Sequence, residues 1–216
     1  MLNQAVTDKG FVNYNIIQQG EQLDNIIKII ETTAPTSLQT IEQQLTFYIN
    51  SYNALVIYTI INGKSPSHFF GRFSFFRNSY YTVAGTSMNL HELEHDVIRP
   101  LQDPRIHFAL VCASYSCPKL LNSVYRAEDI DEQLELAAKA FINNSQKNHF
   151  DQTKKIAYIS KIFDWFDEDF SSEEIALLDY IAQYVDDEKL AKALRQQTFT
   201  IRFNNYDWSL NGQYEE

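Results

Sequence analysis

The stretch 41–62 constrains the fold more than any other part of this chain, because its second half is apolar on nearly every face. A helix with apolar residues all round has to be enclosed by the rest of the protein, so a buried central helix is predicted here. Gly63 and Pro66 form the pattern of a helix C-terminus, and Ser37 or Thr40 can cap its N-terminus. A chain of 216 residues is long enough to cover such a helix.

Two asparagines, Asn50 and Asn53, lie about one turn apart within this otherwise apolar helix. A buried amide without hydrogen-bond partners costs about 1 to 3 kcal/mol, so each must bond to another group. Two interpretations stay open. The amides hold the backbone of neighbouring loops, or they form the floor of a binding site as substrate-binding residues.

The second informative stretch is 103–120, DPRIHFALVCASYSCPKL, which has the highest concentration of reactive side chains. Residues 106–112 alternate poorly between apolar and polar, which predicts a central strand covered on both faces. Pro118 cannot donate to a neighbouring strand and marks where pairing stops. We expect a site in the loop after this strand, because a rigid scaffold there supports loop groups that are available for binding.

Strands and helices interleave irregularly along the chain, which predicts an α+β fold with residues 1–216 as a single domain. We expect a central, mostly antiparallel or mixed sheet packed by several helices. A buried helix packed on such a sheet is similar to the architecture of papain-like and transglutaminase-like enzymes. In those families the helix supplies the cysteine, whereas this helix offers asparagine and serine. A match would therefore imply a binding module or a displaced catalytic site.

The formal net charge of −10 opposes contact with the phosphates of nucleic acid or of anionic membranes. Residues 67–81 contain many aromatics with Arg72 and Arg77, and this stretch is predicted to form a loop followed by a strand. The net charge argues against base stacking by these aromatics. No apolar run approaches the roughly 20 residues that span a bilayer, so we expect no transmembrane segment and no nucleic-acid partner.

The N-terminal residues lack the basic, apolar and small-residue order of a signal peptide. The compartment stays open: periplasmic or secreted if a leader has been removed, otherwise cytoplasmic. The two cysteines, five positions apart, can be buried thiols, a disulfide, or include one nucleophile. Of these arrangements we expect buried thiols.

The leading enzymatic hypothesis is a thiol nucleophile with a histidine base, as in hydrolases and acyl-transfer enzymes. The candidate catalytic residues are Cys112, His95, Glu94, Cys117 and His107. His107 lies an odd number of positions from Cys112, so the two side chains would face opposite sides of a strand. His95 is therefore the preferred base, with Glu94 or Asn53 as the orienting group.

The predicted ligand of this cleft is a small molecule or a peptide. The candidate substrate-binding residues are Asn50, Asn53, Arg99, Arg105, Ser114 and Ser116. Loop amides from Ser114 to Cys117 are candidate oxyanion donors. The competing hypothesis is a non-catalytic ligand- or protein-binding module that uses the same residues without an activated thiol.

A zinc site is the other alternative, because His91 and His95 stand one helical turn apart within HELEH. Five residues match such a pattern often by chance, and the helix that carries them is predicted independently from the capping box formed by Asn89 and Glu92. We therefore expect no metal and no cofactor.

The chain resembles the bacterial branch of the domain of unknown function 547 family. The matching pieces are KGFVNYN, FYINSYNAL, LHELEHDVIR, DPRIHFALVCASYSCPKL and YDWSLN, which together span almost the whole chain. The resemblance implies a secreted or envelope protein without an assigned activity. In plant relatives the position of Cys117 is usually serine, while that of Cys112 is more often kept. The resemblance therefore favours Cys112 over Cys117 as an essential residue.

Overall fold

The structure, a computed structural model, describes residues 1–173 and 175–214. In chain order its α-helices are α1 (Leu2–Ala5), α2 (Tyr14–Gln18), α3 (Gln22–Thr32), α4 (Ile41–Ile61), α5 (Phe69–Arg77), α6 (Leu90–Glu92), α7 (Ile130–Ile142), α8 (Ile162–Trp165), α9 (Asp167–Phe170), α10 (Leu177–Tyr184) and α11 (Glu188–Arg195). The strands are β1 (Val12–Asn13), β2 (Tyr80–Val83), β3 (Thr86–Asn89), β4 (His149–Asp151), β5 (Ile156–Ile159), β6 (Thr200–Phe203) and β7 (Gly212–Gln213). The fold is α+β, as predicted.

The strands within the described residues form three small sheets. Strands β1 and β7 pair in parallel, β2 and β3 form an antiparallel hairpin, and β4, β5 and β6 form a mixed sheet in that order. The hairpin turn at Ala84 and Gly85 has positive φ at both residues, as a type I′ turn requires. We expected one central sheet that is mostly antiparallel or mixed. The structure instead has three separate small sheets, and one of them is mixed.

The chain divides into two compact units, residues 1–133 with the C-terminal residues from Trp208, and residues 134–207. The first unit is built around α4, which is buried along most of its length, as its sequence predicted. Thr40 and Gln43 form a reciprocal capping box at its N-terminus. The expectation of a single domain over 1–216 stays a prediction.

In the second unit, aromatic side chains from α7, α8 and α9 pack together in the core. Phe163 is fully buried, and its ring lies 6.3 Å from that of Phe141 and 5.0 Å from that of Phe170, measured between ring centroids. Ala157 and Ile159 of β5 are also fully buried. Such aromatic pairs contribute more than their buried area alone.

The strand predicted at 106–112 is wrong. Residues Pro104–Phe108 form a 3₁₀ helix, and the chain from Ala109 to Ala113 has no regular structure and is buried except at Cys112. Pro104 favours a helical start, and the side chain of Asp103 accepts a hydrogen bond from the backbone of Arg105 to cap it. A run that is apolar on both faces indicates burial, but it does not determine which groups form hydrogen bonds with its backbone.

The stretch 67–81 also differs from its prediction, because most of it forms helix α5 rather than a loop. The strand that follows, β2, agrees with the prediction. Within the described residues, no helix combines the length and the apolar character needed to cross a bilayer.

Candidate functional site

Asn50 and Asn53 use their amides to hold two separate backbone segments on α4. The Asn53 Nδ2 group donates to the carbonyl of Ala109 at 2.9 Å, and the amide of Val111 donates to Asn53 Oδ1 at 2.9 Å. Asn50 makes the same pair of bonds with the carbonyl and amide of Tyr125, at 2.9 and 3.0 Å. These bonds support the first of the two interpretations, in which the asparagines position loops.

The carboxylate of Glu94 contacts a tyrosine of α4 and a histidine of the 3₁₀ helix. Glu94 Oε2 accepts a hydrogen bond from the hydroxyl of Tyr52 at 3.4 Å, and Glu94 Oε1 lies 4.0 Å from His107 Nδ1. The side chain of His107 is 1% exposed and that of Glu94 is 15% exposed. The carboxylate is therefore the solvent-facing side of the Glu94–His107 pair.

The Glu94–His107 contact corrects the argument that disfavoured His107. Opposite-facing side chains were expected only for a regular strand, and this segment is a 3₁₀ helix followed by irregular backbone. A carboxylate beside an imidazole can orient the ring and fix which nitrogen carries the proton. His107 is thus a candidate base alongside His95.

His95 lies on a short π-helix, Leu93–Ile98, that continues α6. Its Nδ1 is 3.1 Å from the carbonyl oxygen of His91, which can only accept, so Nδ1 carries the proton in the neutral ring. The two imidazole rings lie 3.9 Å apart between centroids. Burial, and then the positive charges of His91 and Arg99, lower the pKa of His95 to about 4.

The lowered pKa of His95 predicts acid sensitivity. The unfolded chain binds a proton at His95 near pH 6.5, whereas the folded protein does not until about pH 4. The free energy of unfolding should therefore fall as the pH is lowered from about 6.5 to about 4. Solvent screening reduces the size of the effect, because His95 is only half-buried.

Urea unfolding of the wild type and of His95→Gln at several pH values checks this expectation. The variant should lose part of the slope in this pH window, while the control His149→Gln, at an exposed histidine of β4, should keep it. Identical slopes in the wild type and His95→Gln would contradict the assignment.

The cysteines form a disulfide between Cys112 and Cys117, which corrects the expectation of buried thiols. Cys112 is partly exposed and Cys117 is buried. The hydroxyl of Ser114, itself buried, lies 3.1 Å from the sulfur of Cys112. In this oxidised form neither sulfur is a nucleophile, so any thiol chemistry requires prior reduction.

The disulfide loop is held by the C-terminal segment of the first unit. The amide of Tyr115 donates to the carbonyl of Ser209 at 2.7 Å, and the amide of Asn211 donates to the carbonyl of Ala113 at 3.0 Å. Ser114 and Leu210 form an isolated antiparallel bridge between these bonds. The segment from Ser209 to Asn211 therefore limits the motion of the loop that carries both cysteines.

Three further residues were predicted to bind substrate: Arg105, Arg99 and Ser116. The guanidinium of Arg105 forms ion pairs with Asp103 at 2.8 Å and Asp131 at 2.7 Å, which favours a structural role. The positive charge of Arg99 contributes to the lowered pKa values of His91 and His95. Ser116 is partly exposed within the disulfide loop.

The sequence interpretation missed the π-helix and the role of Tyr52. Pro100 was the available signal for the first, because proline cannot donate within a helix and disturbs the turn before it. π-Helical turns occur frequently at functional sites, where they re-aim side chains. The Tyr52–Glu94 contact joins positions 42 residues apart, and no local pattern reports it.

A groove of about 480 Å³ lies between α3 and α4, and neither cysteine is among its lining residues. Its lining is formed by Ile26, Ile29, Ile30, Ser37, Leu38, Gln43, Thr46, Phe47, Asn50, Ser51 and Ala127. The buried hydroxyl of Thr46 has no hydrogen-bond partner among the described residues. Over the same part of the chain, no three or more His, Cys, Asp or Glu residues gather as a metal site.

Comparison with known proteins gives a family but no characterised relative. No curated protein and no solved structure matched the chain. A family model described as "Protein of unknown function, DUF547" matches residues 35–142, which is half of the chain. The matched region includes α4, the histidine pair and both cysteines. The chain therefore belongs to the DUF547 family of proteins of unknown function.

Proposed function

We propose that this protein is a thiol-dependent hydrolase or acyl-transfer enzyme whose nucleophile, Cys112, becomes available when the Cys112–Cys117 disulfide is reduced. The observation that carries the proposal is the setting of the Cys112 sulfur. It is the partly exposed member of the pair and lies 3.1 Å from the Ser114 hydroxyl. Asn53 fixes the amide of the preceding residue, Val111, at 2.9 Å.

The proposed chemistry begins with a dithiol reductant. It transfers two electrons and two protons to the disulfide, which leaves two thiols and an oxidised reductant. The Cys112 thiolate then attacks an acyl carbonyl, and the leaving group departs with a proton to give a thioester. Water or a second nucleophile releases the acyl group and restores the thiol.

Two imidazoles are candidates for the group that accepts the Cys112 proton. His107 Nδ1 lies 4.0 Å from a carboxylate oxygen of Glu94, a contact that can orient the imidazole. His95 is neutral at pH 7 and is a weak base, because its pKa is about 4. The proposal takes His107 as the base, with Glu94 and Tyr52 as positioning residues because they contact one another and Glu94 lies 4.0 Å from the imidazole.

The experiment follows the alkylation rate of Cys112 against pH. The variant Cys117→Ser leaves Cys112 as a thiol without a reductant, and we expect its pKa to lie well below about 8.5, the value for an unperturbed cysteine. Adding Cys112→Ser to this variant should abolish both alkylation and hydrolysis of an activated ester, and adding Glu94→Gln should raise the thiol pKa. A Cys112 that reacts like an unperturbed thiol would contradict the proposal.

A ligand-binding module is the second candidate, favoured by the groove between α3 and α4. Its volume of about 480 Å³ lies within the range of small-molecule sites, roughly 300 to 1,000 Å³. Its mostly apolar lining and the Thr46 hydroxyl suit an apolar ligand with one hydrogen-bonding group. The alkylation experiment separates the two functions, because an unactivated Cys112 leaves the groove as the site to pursue.

A further inference from the structure

Helix α5 carries a group of exposed phenylalanines that no part of the proposed chemistry uses. Phe69, Phe70 and Phe73 are 74%, 86% and 58% exposed, and we call these three side chains the α5 surface. Phe73 lies three positions after Phe70 and four after Phe69, so its side chain is next to both on the helix surface. Large aromatic side chains exposed together usually mark a contact site.

The helix itself is firmly attached to the first unit, so the exposure of the α5 surface is not a sign of a loose helix. Phe75 is fully buried, and the ring of Phe76 meets that of Trp208 at 6.4 Å. The guanidinium of Arg72 lies 4.6 Å from the centre of the Trp208 ring. These contacts orient α5 and direct the α5 surface outward.

Helix α5 itself carries charge of the opposite sign to that of the whole chain, with Arg72 and Arg77 and no aspartate or glutamate. No aspartate or glutamate occurs between Glu42 and Glu92, and this interval contains Lys64, Arg72 and Arg77, a formal charge of +3 in a chain of −10. At physiological ionic strength, charges more than about 8 Å away are largely screened. The two arginines of α5 therefore count for more in a contact with this helix than the distant acids that dominate the net charge.

We propose that the α5 surface docks the protein on a membrane that contains anionic phospholipid. The three phenylalanines enter the boundary between headgroups and acyl chains, while the nearby cations pair with lipid phosphates. Rings exposed over most of their area suit a fluid bilayer, which requires no fixed complementary shape. The same combination of aromatic and basic groups is compatible with single-stranded nucleic acid, which is therefore tested as the competing partner.

The experiment is vesicle co-sedimentation of the full chain. Wild type should bind phosphatidylcholine vesicles that contain about 30% phosphatidylserine, and should bind pure phosphatidylcholine about tenfold less. Salt at about 0.5 M should weaken binding to the anionic vesicles. The variant Phe69→Ser, Phe70→Ser and Phe73→Ser should lose at least about tenfold in partitioning.

The matched control changes three exposed apolar residues elsewhere, Phe11→Ser, Val124→Ser and Leu136→Ser. This control should bind vesicles within about twofold of wild type, because the binding depends on the α5 surface and not on exposed apolar residues in general. A single variant, Phe70→Trp, gives a second readout at the most exposed position, because its fluorescence should shift to the blue when vesicles are added.

Three results would overturn the proposal: no binding of wild type to anionic vesicles at low salt, equal partitioning of the triple serine variant and wild type, or an unshifted Phe70→Trp spectrum. Binding of a single-stranded oligonucleotide that depends on the α5 surface, without vesicle binding, would assign the surface to nucleic acid instead. These outcomes do not depend on Cys112, so they test docking separately from catalysis.

Discussion

Replacing Asn53 with alanine should lower the free energy of unfolding by about 3 kcal/mol. The change leaves the carbonyl of Ala109 and the amide of Val111 without their bonds to the Asn53 side chain. Both residues are buried, at 1% and 3% exposure, so water cannot readily replace the lost partner. For a chain of this length the loss corresponds to a fall of roughly 6 to 12 °C in Tm.

Urea unfolding of Asn53→Ala beside Asn62→Ala measures the effect. Asn62 is exposed at the C-terminus of the same helix, and its side chain donates to the carbonyl of Tyr58 at 2.8 Å. Its replacement should cost less than about 1 kcal/mol, because water can satisfy both groups. Equal losses in the two variants would show that the amide of Asn53 does not anchor the 109–111 segment.

The features that the sequence predicted correctly have local causes. The bounds of α4 follow from an apolar run with a capping residue before it and glycine after it. The start of β2 at the end of the aromatic stretch 67–81 likewise agrees with the strand expected there. Each of these signals depends on residues a few positions apart, so tertiary contacts are not needed to recognise it.

The 106–112 segment could not be predicted in the same way, because its backbone bonds come from a distant side chain. Asn53 lies 56 positions before Ala109, and its amide replaces the neighbouring strand that an apolar run normally requires. The error then carried into the site, since the choice of His95 over His107 depended on strand geometry. The disulfide was equally beyond prediction, because a spacing of five positions fits both thiols and a bridge.

Replacing Gly212 with alanine should lower the free energy of unfolding by a similar amount. Gly212 lies in β7, directly after the Ser209–Asn211 segment that holds the disulfide loop. A Cβ at this position would fall on the carbonyl oxygen of Val12 and crowd the ring of Tyr14. Val12 and Tyr14 are buried, and the obstructing atom is backbone, so the β1–β7 pair must separate to relieve the clash. We expect a loss of about 3 kcal/mol in the free energy of unfolding.

The consequence for the site is a looser disulfide loop. Separation of β7 withdraws the Ser209–Asn211 segment, whose carbonyl and amide bonds hold Tyr115 and Ala113. Hydrogen exchange at the Tyr115 amide should accelerate by about a hundredfold, and reduction of the disulfide should become faster. Gly20→Ala is the matched control, because the nearest atom to its added Cβ is 3.8 Å away. Unchanged exchange at Tyr115 in Gly212→Ala would mean that the loop is held by other contacts, and Cys112 would then be controlled by its own surroundings alone.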